Sequence, residues 1–461
     1  MSFDHLIHHA LVLTMEPGAA PLVDGYVAVK GRKIAAVGQA TATADLPRAV
    51  YAWDARGQLV MPGLINCHCH AAMTLFRGLA DDLPLLAWLH QHIFPAEARW
   101  VNREFVYTGA LLAAAEMLRG GITTVADAYF YEDVARQAFL AAGLRAVVAQ
   151  GIVDFPTPDV PNPQENLRVA EEFIQAGREF TGAGLISTLF CHAPYTCSAA
   201  TLTAAKEITR QQDLPFFIHV AETAEEVARS QEANGLTPVA YLDHLGLLDA
   251  QTVVVHAVWL TEADQDLLAQ RQVKVVHCPE SNLKLAAGIA PVAALQRRRV
   301  TLGLGTDGAA SNNNLDLWGE MSLAARLHKV ATHDPAVLPA PQVLAMATCD
   351  GAQVLGLAEV TGSLRPGKEA DLILVDLQQP HLTPLYDPYS HLVYAAQAAD
   401  VTAVMVAGRW LLRDRQFLSL DWPALASAVR RWTELLKPES NLAVPQVLGE
   451  KLTSSGNPGI F

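Results

Sequence analysis

Short apolar runs separated by turn residues occupy both ends of the chain, whereas the middle alternates such runs with longer amphipathic stretches. Near the start, Leu11 to Thr14 and Tyr26 to Val29 read as short strands, and Lys30-Gly31-Arg32-Lys33 as a turn into Ile34 to Val37. Near the end, Asp371 to Asp376 and Val401 to Val406 repeat the style, and Gly408-Arg409 follows the second run. Neither end has enough strands for a stable sheet alone, so the pattern predicts one small β-sandwich domain built from both chain ends.

The middle predicts parallel strands joined by crossover helices. Eight runs mark the strands: Val60 to Asn66, Ile122 to Ala126, Arg145 to Ala149, Leu185 to Phe190, Phe216 to Val220, Thr252 to His256, Val273 to His277 and Leu302 to Gly305. Helical segments fall between them, as at Val106 to Leu118, Ala199 to Gln211 and Glu262 to Gln270. This α/β pattern predicts a closed (β/α)8 TIM-like barrel whose active site lies at the strand C-terminal ends. An open doubly wound sheet is the alternative, but no GxGxxG follows the first strand. The expected boundaries are 1–59 and 362–420 for the two parts of the β domain and 60–361 for the barrel, followed by a C-terminal helix and tail over 421–461. Within that last segment, 421–437 reads as helix and 438–461 as a Pro/Gly/Ser-containing tail.

Composition narrows the function. With 51% of 461 residues hydrophobic and 17% charged, the chain can bury a large core and is not disordered. No uncharged apolar run approaches the ~20 residues needed to cross a bilayer. A net charge of −14 argues against clustered phosphate contacts, so the expected partner is a small molecule, with neither nucleic acid nor membrane, and homo-oligomerisation stays open. Six cysteines without a CxxC pair fit a reducing compartment. The start, Met1-Ser2-Phe3-Asp4-His5, lacks a basic segment followed by an apolar one, which points to the cytoplasm.

Polar residues cluster at the ends of the barrel strands. In Asn66-Cys67-His68-Cys69-His70, strand alternation turns His68 and His70 the same way and Cys67 and Cys69 the other, so the thiols are expected to pack. His219 ends the fifth run, Glu222 follows three residues later, and Asp307 follows the eighth run. Three imidazoles and a carboxylate form a plausible Zn²⁺ site with room for water, and a metal would give a buried Asp307 the partner it needs. His256 is placed to reach a metal-activated water, and His192 follows the fourth run. His277 reads as loop support, Glu225 and Glu226 as solvated helix-start carboxylates, and the remaining histidines as surface or packing residues.

Val60-Met61-Pro62-Gly63-Leu64-Ile65-Asn66-Cys67-His68-Cys69-His70, then His219, His256 and Gly305-Thr306-Asp307, resemble the amidohydrolase superfamily in order and type. The resemblance covers nearly the whole chain, including Gly362 to Leu372. Within the superfamily, Phe76 to Leu85, His92 to Glu97 and His277 to Leu285 look most like the 5-methylthioadenosine/S-adenosylhomocysteine deaminases. The fourth strand ends Leu189-Phe190-Cys191-His192, without the carboxylated lysine of binuclear members, so one metal per chain is expected. The resemblance implies zinc, although nitrogen and oxygen ligands also admit iron, manganese or cobalt.

The resemblance further implies metal ligands His68, His70, His219 and Asp307, and catalytic roles for Glu222, His256 and Asp307. Asp307 would take the proton of the attacking water and later pass one to ammonia, Glu222 would protonate the purine ring nitrogen, and His256 would stabilise the tetrahedral intermediate. Glu97 would hold the ribose diol, His192 the purine, and Trp88 would line the nucleoside site, with Glu222 and Asp307 also touching substrate. S-adenosylhomocysteine deaminases carry an arginine after the third strand for the amino-acid carboxylate, but Gly151 to Gln164 contains Asp154 and Asp159 and no arginine. The expectation is therefore hydrolytic deamination of an adenine nucleoside, foremost 5′-methylthioadenosine, with adenosine or S-adenosylhomocysteine as other candidates. A guanine or 8-oxoguanine deaminase, or a triazine-type hydrolase, is the rival; Glu97 separates them because a free base presents no diol. A non-catalytic assembly protein on this fold is the rival of another class, opposed by the complete ligand set.

Overall fold

A computed structural model describes residues 2–39 and 46–437. The chain opens with β1 (Phe3–Val12), β2 (Leu22–Lys30), β3 (Lys33–Gln39), β4 (Ala49–Asp54) and β5 (Gln58–Pro62). The barrel strands follow: β6 (Leu64–Cys69), β7 (Ile122–Tyr129), β8 (Arg145–Ile152), β9 (Leu185–Cys191), β10 (Phe216–Val220), β11 (Thr252–His256), β12 (Lys274–His277) and β13 (Leu302–Leu304). The chain then returns through β14 (Leu372–Asp376), β15 (Val401–Val406), β16 (Arg409–Arg413) and β17 (Gln416–Phe417).

Both chain ends build one nine-stranded sheet in the order β17-β16-β15-β14-β5-β1-β2-β3, with β4 beside β1. The join is the antiparallel pairing of β14 with β5, Leu372 opposite Pro62 and Asp376 opposite Gln58. β1 is longer than the Leu11 to Thr14 run because Asp4, His5, His8 and His9 interrupt its apolar pattern, while Leu6, Ile7 and Ala10 are buried. β4 went unexpected because Val50 and Tyr51 face solvent. The run Val60 to Asn66 is two strands in two sheets, and the break falls at Gly63, where a Cβ would lie 2.1 Å from Thr123 Cγ2.

β6 to β13 lie in sequence order, each parallel to its neighbour. A seam of polar bonds joins the first strand to the last: Asn66 Nδ2 donates to Thr306 Oγ1 (2.8 Å), Thr306 N to Asn66 Oδ1 (3.0 Å) and Asp307 N to His68 O (3.1 Å). The interior is filled by Ala126, Val147, Phe190, Phe217 and Val255, and helix Cys349–Val354 adds Ala352 and Val354. Outer helices begin where local caps dictate: Asn102 accepts from Glu104 N and Phe105 N ahead of Arg103–Arg119, Ser198 caps Ala199–Gln211, and Thr261 with Asp264 forms a capping box for Glu262–Gln270. Helix Trp422–Leu436 docks Trp432 edge-on to Phe105 at 5.2 Å. The expected tail, 438–461, lies outside the described residues.

Arg145, at the start of β8, ties the barrel to the end sheet. Its Nε donates to Asp371 Oδ2 (2.8 Å), and its Nη2 to Asp371 Oδ1 (3.2 Å) and Glu369 Oε2 (2.5 Å), with Arg145 and Asp371 both buried. Removing one partner of a buried pair leaves the other charge uncompensated. Arg145→Ala should therefore lower unfolding free energy by about 3–5 kcal/mol, as read by urea denaturation.

Candidate active site

The strand C-terminal ends meet in a cavity of about 470 Å³, lined among others by His70, Glu97, His192, Glu222, His256 and Asp307. Its size suits a small organic ligand. Trp88 and His219 also line it, and His68 lies buried beside His70 and His219. All the residues expected at the site are thus brought to one place.

His68, His70 and His219 offer nitrogens within 4.8 Å of one another that could hold a metal ion, and Asp307 Oδ1 lies beside two of them. His68 Nε2 lies 3.1 Å from His219 Nε2 and 3.5 Å from Asp307 Oδ1, and His70 Nε2 lies 3.3 Å from that same oxygen. Ligands about 2.0–2.1 Å from a tetrahedral ion sit roughly 3.3 Å apart, so these donors fit a zinc-sized ion. Outer hydrogen bonds set the ring orientation. His70 Nδ1 donates to Ala128 O (2.5 Å) and His219 Nδ1 to His192 O (2.8 Å), leaving each Nε2 lone pair free for the metal. Burial pushes His68 down to about 4 and His219 well below its usual value, which favours the neutral ligating form.

Asp307 is only 6% exposed. Burial opposes its charge, but the His68, His70 and His256 imidazoles prevail and hold its carboxyl well below the usual range. Ser281 Oγ (2.6 Å) and Ser311 Oγ (2.8 Å) donate to Oδ2, and Gly308 N (2.8 Å) donates to Oδ1. Burial raises Glu222, favouring a carboxyl that still carries its proton. His256 Nε2 stands 3.8 Å from Glu222 Oε2 while its Nδ1 donates to Asn282 Oδ1 (2.9 Å). Burial disfavours charge on His256, yet Glu222 and Asp307 outweigh it and raise its pKa. His256 and Asp307 both adopt left-handed backbone, φ +73° and +59°, a conformation rare outside glycine and concentrated at functional sites.

Also on the cavity lining, Glu97 Oε1 accepts from Tyr129 Oη at 2.7 Å. Glu97 is 6% exposed, and burial pushes its carboxyl up to about 7 against the pull of Tyr129. His192 Nδ1 bonds Thr196 Oγ1 (3.0 Å), and burial takes its pKa down to about 4. Asp154 and Asp159 belong to the loop framework: Asp154 accepts from Ser198 N (2.7 Å) and Thr201 Oγ1 (2.8 Å), and Asp159 from Tyr131 N (3.0 Å) and Gln150 Nε2 (2.8 Å). Their loop presents Phe155, Pro156, Pro158 and Pro161 to the cavity, and among the described residues no lysine or arginine lines it.

Cys67 and Cys69 are both buried, but simple alternation does not place them. The pairing of β6 with β7 is irregular between Asn66 and Cys69, so Cys67 joins the barrel interior with Phe217 and Val255 while Cys69 joins the outer core. Several site residues escaped the sequence reading. Tyr129 did so because β7 runs three residues past the expected strand end at Ala126. Phe190 packs under the ligands, its ring 4.6 Å from His219 and 5.4 Å from His68. Glu226 is buried: its Oε1 accepts from Ala221 N (2.7 Å) and its Oε2 from Glu222 N (2.8 Å), which corrects its reading as a solvated carboxylate. The Thr223-x-x-Glu226 spacing was the available signal.

The model of the family described as "Amidohydrolase family" matches residues 59–411. The chain is 47% identical over 435 residues to a 5-methylthioadenosine/S-adenosylhomocysteine deaminase of Syntrophobacter fumaroxidans, covering 94% of this chain and 99% of that one. It is 44% identical to a 5′-deoxyadenosine deaminase of Methanosarcina acetivorans, covering 95% and 99%. Among solved structures it is similar to an adenosine deaminase from Xanthomonas campestris with bound zinc, at a TM-score of 0.92 and 42% identity, covering 94% and 99%. His219→Ala should reduce the transition metal bound per chain several-fold in elemental analysis of the purified protein, and lower the melting temperature with it.

Proposed function

The chain belongs to the amidohydrolase family, and from that membership we infer that it is a zinc-dependent hydrolase that deaminates adenine nucleosides, with 5′-methylthioadenosine preferred. The observation that carries the substrate reading is the polarity of the cavity. A buried carboxylate, Glu97, and the ligand cluster line one cavity whose wall is otherwise largely apolar, with no cationic side chain among the described lining residues.

Bound zinc supplies the Lewis acidity that makes water a nucleophile near neutral pH. His68, His70, His219 and Asp307 would hold it. Asp307, kept ionised by its imidazole neighbours, takes a proton from the attacking water. Glu222, whose burial favours the protonated carboxyl, donates to the ring nitrogen beside the attacked carbon. His256, oriented by Asn282, stabilises negative charge developing on the entering oxygen. Asp307 then returns its proton to the departing ammonia, the remaining proton on the entering oxygen passes to Glu222 and restores its carboxyl as the carbonyl forms, and the product is the inosine analogue.

Glu97 accepts from the ribose hydroxyls. Tyr129 occupies part of Oε1, which orients the carboxylate toward the diol. His192 faces the purine, and Trp88 packs against the nucleoside. The wall of Phe155, Pro156, Pro158 and Pro161 suits a methylthio group, whereas an amino-acid carboxylate would find no guanidinium partner there.

The ultraviolet change from adenine to hypoxanthine should be fastest in kcat/KM for 5′-methylthioadenosine, slower for adenosine and slowest for S-adenosylhomocysteine, with guanine as a control. A preference for S-adenosylhomocysteine overturns the substrate ranking. Glu222→Gln should cut kcat by about 10²–10⁴ with zinc retained, and a near wild-type rate removes Glu222 as proton donor. Glu97 takes up a proton as pH falls through about 7 and then loses acceptor capacity, so KM should rise below that pH. Glu97→Gln should flatten this dependence and raise KM about 10–100-fold at pH 8.

A further inference from the structure

We infer that Glu226 is a positioning residue for the deamination, holding Glu222 at its working place by gripping the backbone that carries it. The inference rests on Glu222 as the proton donor proposed above.

Glu226 lies in the first turn of helix Ala224–Asn234, whose N-cap Thr223 accepts from Glu226 N at 3.1 Å. In an ordinary capping box the acidic side chain at this position reaches back to the N-cap amide. Here it reaches further. Its two oxygens take the two preceding amides, Ala221 N at 2.7 Å and Glu222 N at 2.8 Å, so the carboxylate serves the loop rather than the helix. A helix start alone does not require this bond pattern.

The gripped segment needs restraint. Ala221 has φ +53°, a left-handed conformation that an alanine disfavours. Its carbonyl accepts from Val258 N (3.0 Å) and Trp259 N (2.9 Å), and Ala257 N donates to Val220 O (3.1 Å). The peptide units around Ala221 are thus fixed on one side by the loop that follows His256 and on the other by Glu226. Release of the second side lets Ala221 relax toward its preferred backbone, which turns the Glu222 side chain away from His256, now 3.8 Å distant.

Glu226→Gln keeps one acceptor and aims an amide donor at the other N–H. In the zinc-loaded enzyme it should lower kcat on the order of 10²-fold while bound zinc and KM stay close to wild type. Ala221→Gly placed in the Glu226→Gln chain should recover a large part of kcat, because glycine accepts the left-handed backbone without penalty. That double variant also serves if Glu226→Gln alone fails to fold. Glu225→Gln, on the same turn but in an exposed pair with Arg229, is the control and should keep the wild-type rate. The inference is overturned if Glu226→Gln keeps its kcat, if it loses zinc and kcat together, if Ala221→Gly brings no recovery, or if Glu225→Gln is equally slow. A zinc-loaded wild-type chain inactive on every adenine nucleoside would instead count against the proposed function.

Discussion

The buried carboxylate of Asp307 is the constraint around which the barrel's open end is organised. A charge withdrawn from water must be compensated on the spot, and here the compensation comes from separate parts of the chain. Two serine hydroxyls and the Gly308 amide solvate one flank, and the imidazoles of His68 and His70, at the end of β6, approach the other. Gly308 and Ser311 are close to Asp307 in sequence, whereas Ser281, His68 and His70 are far from it. They meet because eight parallel strands end on one face, and because Asn66 stitches β6 to the Thr306-Asp307 turn. The ligand cluster and the closure of the barrel are therefore one physical event.

Away from that centre the cavity loses charge. Glu222 and Glu97 are both raised by burial, each is steadied by a neighbour, His256 or Tyr129, and in the proposed reaction one gives a proton while the other accepts from hydroxyls. Two carboxyls of similar chemistry acquire different duties from their surroundings, as expected where desolvation and specific partners set protonation. The prolines and aromatic ring of the loop after β8 complete an apolar wall, on which the proposed preference for an uncharged substituent rests. The acidic balance of the whole chain is consistent with that wall, and it says nothing against a single neutral nucleoside.

Much of this was legible beforehand. The eight apolar runs, the His-x-His pair, His219, Asp307 and the split β domain are visible because parallel strands buried on both faces read as apolar runs with polar residues at their ends. What was less legible had specific causes. Val60 to Asn66 reads as one strand, since an apolar run does not show that Gly63 sends its halves to different sheets. Cys67 and Cys69 read as sharing a face, since the irregular pairing of β6 with β7 is not encoded in alternation. Tyr129 and Phe190 sit among apolar neighbours with nothing in spacing to mark them.

The sequence by itself determined which chemical groups are available and in what order they reach the strand ends, because strand period and barrel handedness leave little freedom once eight β/α units exist. Tertiary structure decided which of those groups are buried together, and burial decides protonation. Glu225 and Glu226 are adjacent and identical in type, yet one pairs with Arg229 in solvent and the other grips two backbone amides out of it. No local pattern separates them fully, because the difference lies in desolvation and in backbone contacts made across the fold.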